Sequence, residues 1–254
     1  MQLFDTHCHL DVEQFDADRA QVLAEARAAG VRHLLVPAIT RAAWEALWQL
    51  CEGDEHLYPA IGLHPVLMDQ HSDEHISALD AFVREHRPVA IGEIGLDFFV
   101  ESLDRDRQQQ LLEAQLAIAE NHALPVVLHV RKAHDAMLAT LKHYTLCGGT
   151  CHAFNGSLQQ AQQYIDMGFK LGFGGMLTYP NANKLQRLAR ELPIESMVLE
   201  TDAPDMVGAA HRYQRNSPAY LPEVVEKLAK LKGISGEAVA ETTTANGLQV
   251  FGLS

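Results

Sequence analysis

Eight short apolar, β-rich runs alternate with stretches of helical periodicity along this chain, and that alternation limits what it can fold into more than any other feature. The runs are LFDTH (3–7), HLLVPAI (33–39), YPAIGLH (58–64), VAIGEIG (89–95), PVVLHV (125–130), GGTCHAF (148–154), FKLGFGG (169–175) and MVLETD (197–202). Between them, apolar residues recur on one helical face: Trp44, Leu47, Trp48 and Cys51, then Leu185, Leu188, Ala189 and Leu192, then Val224, Val225, Leu228 and Leu231. Thr40, Ser72 and Ser157 are expected N-caps, Gly30 and Gly168 expected helix stops, and 235–251 an expected final helix. Strands alternating with helices predict an α/β protein, either a doubly wound sheet or a closed (β/α)8 TIM barrel. No Gly-x-Gly-x-x-Gly follows the first run and no Walker loop is present, so the usual nucleotide-binding reasons for an open sheet are missing and the barrel is the better fit. A length of 254 residues admits two small domains or one large one. Without repeats, low-complexity tracts or linkers to divide it, one domain over 1–254 is expected.

A formal net charge of −13 argues against a protein that holds DNA or RNA by a broad basic surface. It leaves room for an enzyme that neutralises a few phosphates locally with metal ions and arginines. No charged start leads into a long apolar run, so neither a signal peptide nor a membrane span is expected, and cytoplasmic residence follows. The cysteines Cys8, Cys51, Cys147 and Cys151 contain no Cys-x-x-Cys pair, which disfavours a zinc finger and suggests reduced thiols, with Cys51 and Cys147 as small core hydrophobes.

The opening MQLFDTHCHLD sets His7 and His9 two residues apart, on one side of a strand and opposite Cys8. Glu93 falls in the fourth run, while His129, His152 and Asp202 end the fifth, sixth and eighth. The C-terminal strand ends of such barrels build active sites. Buried polar groups left unpaired there would cost about 1–3 kcal/mol each, which points to bound metal. Six ligands exceed one catalytic zinc site but suit two divalent ions about 3.5–4 Å apart. Glu93 is the expected bridge, with His7, His9 and Asp202 on one ion and His129 and His152 on the other. Nitrogen-rich coordination favours zinc, manganese or iron, while carboxylates and substrate phosphates keep magnesium in the set. Glu93 and Asp202 are the expected catalytic pair for metal-assisted hydrolysis, with Asp202 taking or relaying a proton. Glu200, two residues earlier on the same face, either orients a ligand or shares that proton, or is a core carboxylate. His64, Arg131 and Arg215 are candidate substrate contacts, the arginines as bidentate phosphate clamps or as salt-bridge partners. His33, His56, His71, His75, His86, His122, His134, His143 and His211 are read as solvated or helix-face residues without a role.

The blocks FDTHCHLD, IGLHP, AIGEIGLDF, LPVVLHVRKAHD, CHAFNG, LETDAP and RNSPAYLPEVVEKLA, in this order and nearly end to end, closely resemble the TatD family of metal-dependent deoxyribonucleases within the amidohydrolase superfamily. The resemblance implies a (β/α)8 barrel with metal at its mouth and phosphodiester hydrolysis, typically exonucleolytic. It places the family's ligands on His7, His9, Glu93, His129, His152 and Asp202. Glu93 stands where many superfamily relatives use a modified lysine, and Arg215, Asn216 and Pro218 match the family's RNxP element. Asn155 departs from the Ser or Thr common at that point, which bears on substrate detail. Three readings follow: a metal-dependent deoxyribonuclease, 3′-5′ exonuclease-like; a small-molecule ester, amide or phosphoester hydrolase of the same superfamily; and a metal-binding barrel without catalysis, which the intact ligand set disfavours. DNA or a small phosphoester is the expected partner, no membrane is involved, and a monomer is expected.

Overall fold

The computed structural model, which describes residues 2–253, joins eight parallel strands into one sheet in sequence order, forming a nearly closed barrel as predicted. The strands are β1 (Leu3–Asp5), β2 (Val31–Pro37), β3 (Leu57–Ile61), β4 (Ala90–Asp97), β5 (Val126–Arg131), β6 (Gly149–Cys151), β7 (Phe169–Phe173) and β8 (Met197–Leu199). The helices are α1 (Arg19–Ala28), α2 (Trp44–Glu52), α3 (Glu74–His86), α4 (Arg105–His122), α5 (His134–Leu141), α6 (Leu158–Asp166), α7 (Asn183–Glu191), α8 (Leu221–Lys232) and α9 (Gly236–Val250). Every strand is followed by a helix, as parallel neighbours require.

The period of two along each strand sorts side chains between two apolar clusters. Leu34, Val36, Ile91, Val126, Leu128, Leu171 and Leu199 pack with helix residues such as Leu47, Leu116, Leu188 and Val225 in the large outer core. Their strand neighbours Phe4, Leu35, Ala60, Ala90 and Val127 form a second cluster inside the barrel. Phe251, just past α9, joins it, its ring 6.1 Å from that of Phe4, so the C-terminal helix closes that end.

The junction between β8 and β1 is held beyond the regular strand pairing. The Thr6 N–H and hydroxyl both donate to the Leu199 carbonyl at 3.0 Å, Asp202 N–H donates to His7 O at 2.8 Å, and His9 N–H donates to Ala203 O at 2.9 Å. Asp5 adds a side-chain clasp, accepting from Thr201 N–H at 2.9 Å and from the Thr201 hydroxyl at 2.5 Å.

Several strands stop earlier than the apolar runs suggest. His7, His64, His152 and Asp202 lie just past strand ends, because their backbones leave the ladder for irregular bonds such as His64 N–H to Ile39 O. Ser157 caps α6 with a full capping box, and Gly30 and Gly168 take the left-handed φ of 91° and 83° that stops a helix. Thr40 instead precedes a 3-10 turn at Arg41–Ala43 and makes no cap bond. Asp73, not Ser72, flanks α3, without a side-chain cap bond. Cys51 is buried as expected, whereas Cys147 is exposed because it falls in the loop before β6. His33 and His71 are buried instead of solvated, bonded to Tyr58 Oη and His64 O, and His134, on α5, is buried against Tyr164 Oη. Among the described residues, no helix is long and apolar enough to cross a membrane.

Burial pushes the Asp5 carboxyl up to about 7, against the pull of the Thr201 hydroxyl and the Thr201 and His7 N–H groups. The folded state therefore holds a proton that the unfolded chain releases at its ordinary value of 3.8. Asp5 should make stability fall as pH rises from about 4 to about 7. Urea midpoints compared across that range should show a flatter profile for Asp5→Asn than for the parent. Asp5→Ala, which strands both Thr201 donors, should cost about 2–4 kcal/mol.

Candidate metal centre

Six side chains from five strand ends meet at the barrel mouth around Glu93, whose carboxylate is 1% exposed. Its Oε2 lies 3.2 Å from His7 Nε2 and 3.4 Å from His9 Nε2. Asp202 Oδ1 lies 3.6 and 3.5 Å from the same two nitrogens, which are 3.2 Å apart. The other oxygen, Oε1, lies 3.1 Å from His129 Nδ1, 3.2 Å from His152 Nε2 and 3.4 Å from His64 Nε2. Donors about 2.0–2.2 Å from a shared tetrahedral ion are separated by about 3.3–3.6 Å, close to the mutual distances of His7, His9 and Asp202. Three groups could hold one: His7, Glu93 and His152; His7, His9 and Asp202; and His64, Glu93 and His129.

In His9, His129 and His64 the far nitrogen sets the tautomer. His9 Nδ1 faces the Pro37 carbonyl at 3.1 Å, which can only accept, so its proton sits there and Nε2 offers a lone pair to the centre. His129 Nε2 faces Asp97 Oδ2 at 3.1 Å, which frees Nδ1, whereas His152 Nδ1 lies 3.6 Å from Glu200 Oε1 without a hydrogen bond. His64 is the reverse case. Its Nδ1 accepts from Val66 N–H at 3.1 Å, so the neutral ring carries its proton on Nε2 and presents a donor where the others present acceptors. Arg131 lines the cleft above the centre, a cavity of about 590 Å³, and stacks on exposed Phe99 with 3.7 Å between guanidinium carbon and ring centre. Arg215 does not line it. Both its terminal nitrogens bind the Asp18 carboxylate, at 3.0 and 2.6 Å, which occupies the fork expected to clamp phosphate.

The model of TatD related DNase matches residues 4–252. The chain belongs to the TatD family. It is 39% identical to the metal-dependent hydrolase YjjV of Escherichia coli K12, over 98% of each chain. The crystal structure of that TatD homologue superposes with a TM-score of 0.95 at 38% identity, covering 99% of this chain and 98% of the other. A Klebsiella pneumoniae relative named 3′-5′ ssDNA/RNA exonuclease TatD is 33% identical over 99% of this chain and 98% of its own. The chain is thus a metal-dependent hydrolase of the TatD type.

Asp97 and Asp5 are residues of this TatD chain that sequence reasoning passed over. The strand period was the available signal for Asp97, which shares the face of Glu93 two steps on. Asp97 Oδ1 accepts from Phe99 and Val100 N–H at 2.9 and 3.2 Å, leaving Oδ2 to orient His129. Burial would raise its pKa, but the His129 hydrogen bond and these N–H groups hold it below the ordinary value.

The ionisation of the centre also suits a cation. Burial opposes charge on Glu93, yet His7, His64 and His152 outweigh it and hold the carboxyl well below its usual range. Burial likewise pulls His9 down, but Glu93 and Asp202 carry it up to about 9, and His152 is raised by the same carboxylates and Glu200. The metal-free centre near pH 7 therefore stores protons on nitrogens that a cation would need. Metal binding should release protons, and affinity should fall on acidification below pH 9, where His9 is protonated. Calorimetry at one pH in buffers of different ionisation enthalpy measures that release. Asp97→Asn should weaken metal affinity about 10–100-fold, read in a chelator competition.

Proposed function

We propose that this TatD-family protein hydrolyses phosphodiester bonds with two divalent cations shared through Glu93, removing nucleotides from the 3′ end of single-stranded DNA. One observation carries the two-cation reading: the two oxygens of a single buried carboxylate face separate sets of candidate ligands, at 3.2–3.4 Å on one side and 3.1–3.2 Å on the other. His7, His9 and Asp202 would hold one ion and His129 and His152 the other. Their imidazoles favour zinc, manganese or iron, with magnesium admitted by the carboxylates. When bound, the pair supplies an activated water and polarises a phosphoryl oxygen.

The chain's own groups do the rest. His64 is neutral at pH 7, because burial lowers it to about 4, and its Nε2–H can donate to a phosphoryl oxygen. Burial lifts Asp202 to about 6, with His152 and His9 pulling the other way, so this carboxylate can take up a proton and pass it to the leaving oxygen. Half-exposed Arg131 can meet a neighbouring phosphate from the rim. The exonuclease reading draws support from relatives named 3′-5′ ssDNA/RNA exonuclease TatD in Klebsiella pneumoniae and Salmonella typhimurium, at 33% and 32% identity. The net charge of −13 favours a second reading, hydrolysis of a small phosphoester. Unpaired thiols suit the cytoplasm, and a monomer suffices for the centre, since one chain supplies every donor.

Metal-loaded protein should shorten a 5′-labelled single-stranded DNA into a ladder from its 3′ end. Chelation should abolish the ladder, and Asp202→Asn should slow it at least about 100-fold. Intact DNA with confirmed metal occupancy would overturn the nuclease reading and leave small phosphoesters to be tried.

A further inference from the structure

A second cavity of about 230 Å³ opens beside the metal cleft, between the loops that follow β6, β7 and β8. Ala153, Asn155, Met176, Asp202 and Met206 line both spaces, so the two share a wall that includes a residue of the centre itself. Elsewhere the annex is apolar: Phe154, Phe173 and Leu177 are buried and Leu185 is partly so. Met176 and Met206 are each 36% exposed, two of the few large apolar side chains that reach solvent, and flexible thioethers suit the lips of a site that must admit a flat ligand.

The polar atoms of the annex are few and specific. Glu200 is buried on its wall, and Oε2 has no hydrogen-bond partner, while Oε1 accepts from Ala153 N–H at 2.6 Å. Gly172, on the same wall, leaves that carboxylate its room, since a Cβ there would lie 2.1 Å from Oε2. The Asn155 amide, tied to the Ala153 carbonyl at 3.2 Å, offers a second hydrogen-bonding edge. Lys184 donates to the Asn155 carbonyl and sets a cation beside it. An unused acceptor, an amide and apolar walls match a planar heterocycle bearing N–H groups. A space of about 230 Å³ has room for a pyrimidine ring with its substituents.

We propose that this annex is a nucleobase subsite, holding the base of the nucleotide whose phosphate lies at the Glu93 centre. The inference rests on the phosphodiesterase reading and adds to it a place where the substrate's base, apart from its phosphate, is recognised. Occupancy would set the reacting phosphate against the centre, since Asp202 borders both spaces, and would favour nucleoside esters over simple alkyl ones.

The test compares thymidine 5′-(4-nitrophenyl) phosphate with methyl 4-nitrophenyl phosphate on metal-loaded protein, alongside saturation-transfer NMR of free thymidine. The parent should prefer the nucleoside ester at least tenfold in kcat/KM. Leu185→Trp, which fills the annex, should cut that preference at least fivefold and erase the thymidine signal. Met176→Trp at the lip guards against misfolding of the first variant and should act in the same direction; metal content reports intact folding in both. A preference unchanged in both folded variants, or a drop shared equally by the two esters, would overturn the subsite while leaving the phosphodiesterase reading intact. If the parent hydrolyses neither ester, the phosphodiesterase reading fails and NMR judges the annex alone. A thymidine signal that the parent gives and the filled variants abolish supports the annex; a signal absent from the parent, or unchanged in the variants, overturns it.

Discussion

The closure of β8 onto β1 is the constraint on which the rest of this structure depends. Asp5 and Thr201 are 196 residues apart, and the clasp between them fixes the two segments that carry His7, His9 and Asp202. The Thr201 hydroxyl, donating to Asp5, also accepts from Ala203 N–H at 3.3 Å. Asn216 donates from its amide to the carbonyls of Thr201 and Asp205, at 2.8 and 2.6 Å. Asp202 sits within this net at a φ of +56°, a conformation that costs a non-glycine residue about 1–3 kcal/mol and persists only where its surroundings over-determine it. The barrel seam and the metal centre are therefore one construction.

The centre concentrates opposing charges in a chain whose net charge is −13. Its acidity is dispersed over the surface, whereas the mouth gathers two carboxylates and five imidazoles into a space where charges must be balanced by one another or by cations. Low dielectric strengthens each of those interactions and makes each unpaired group costly. Asp97 and the Pro37 carbonyl act one layer out, fixing which nitrogen of His129 and His9 is free. His64 shares the space with the opposite tautomer because a single backbone N–H, that of Val66, reaches its Nδ1. Two histidines at similar distances from Glu93 are thereby given different chemistry.

Much of this was legible in the sequence, and the reason is periodicity. Apolar runs separated by helical patterns specify strands buried on both faces, which only a parallel sheet covered by helices satisfies. The ligand candidates were legible because histidines and carboxylates at the ends of apolar runs are expensive without a partner. The limits were local. Cys147 read as core, but the burial of a small residue depends on where a loop passes. Ser72 and Thr40 have capping side chains, yet a neighbouring turn took the helix start from each. Arg215 lies in a family motif, but whether a guanidinium meets a phosphate or Asp18 depends on a residue 197 positions away.

By itself the sequence determined the α/β barrel and most of the titratable side chains gathered at its mouth, because each follows from short-range patterns of polarity. The tertiary structure alone decided the division of candidate ligands between the two oxygens of Glu93, the tautomers of His9, His64 and His129, the service of Asp5 and Asp97, and the apolar annex beside the centre. Those features arise from contacts between strand ends distant in the chain, and distances of about 3 Å between such groups exist only once the barrel has closed.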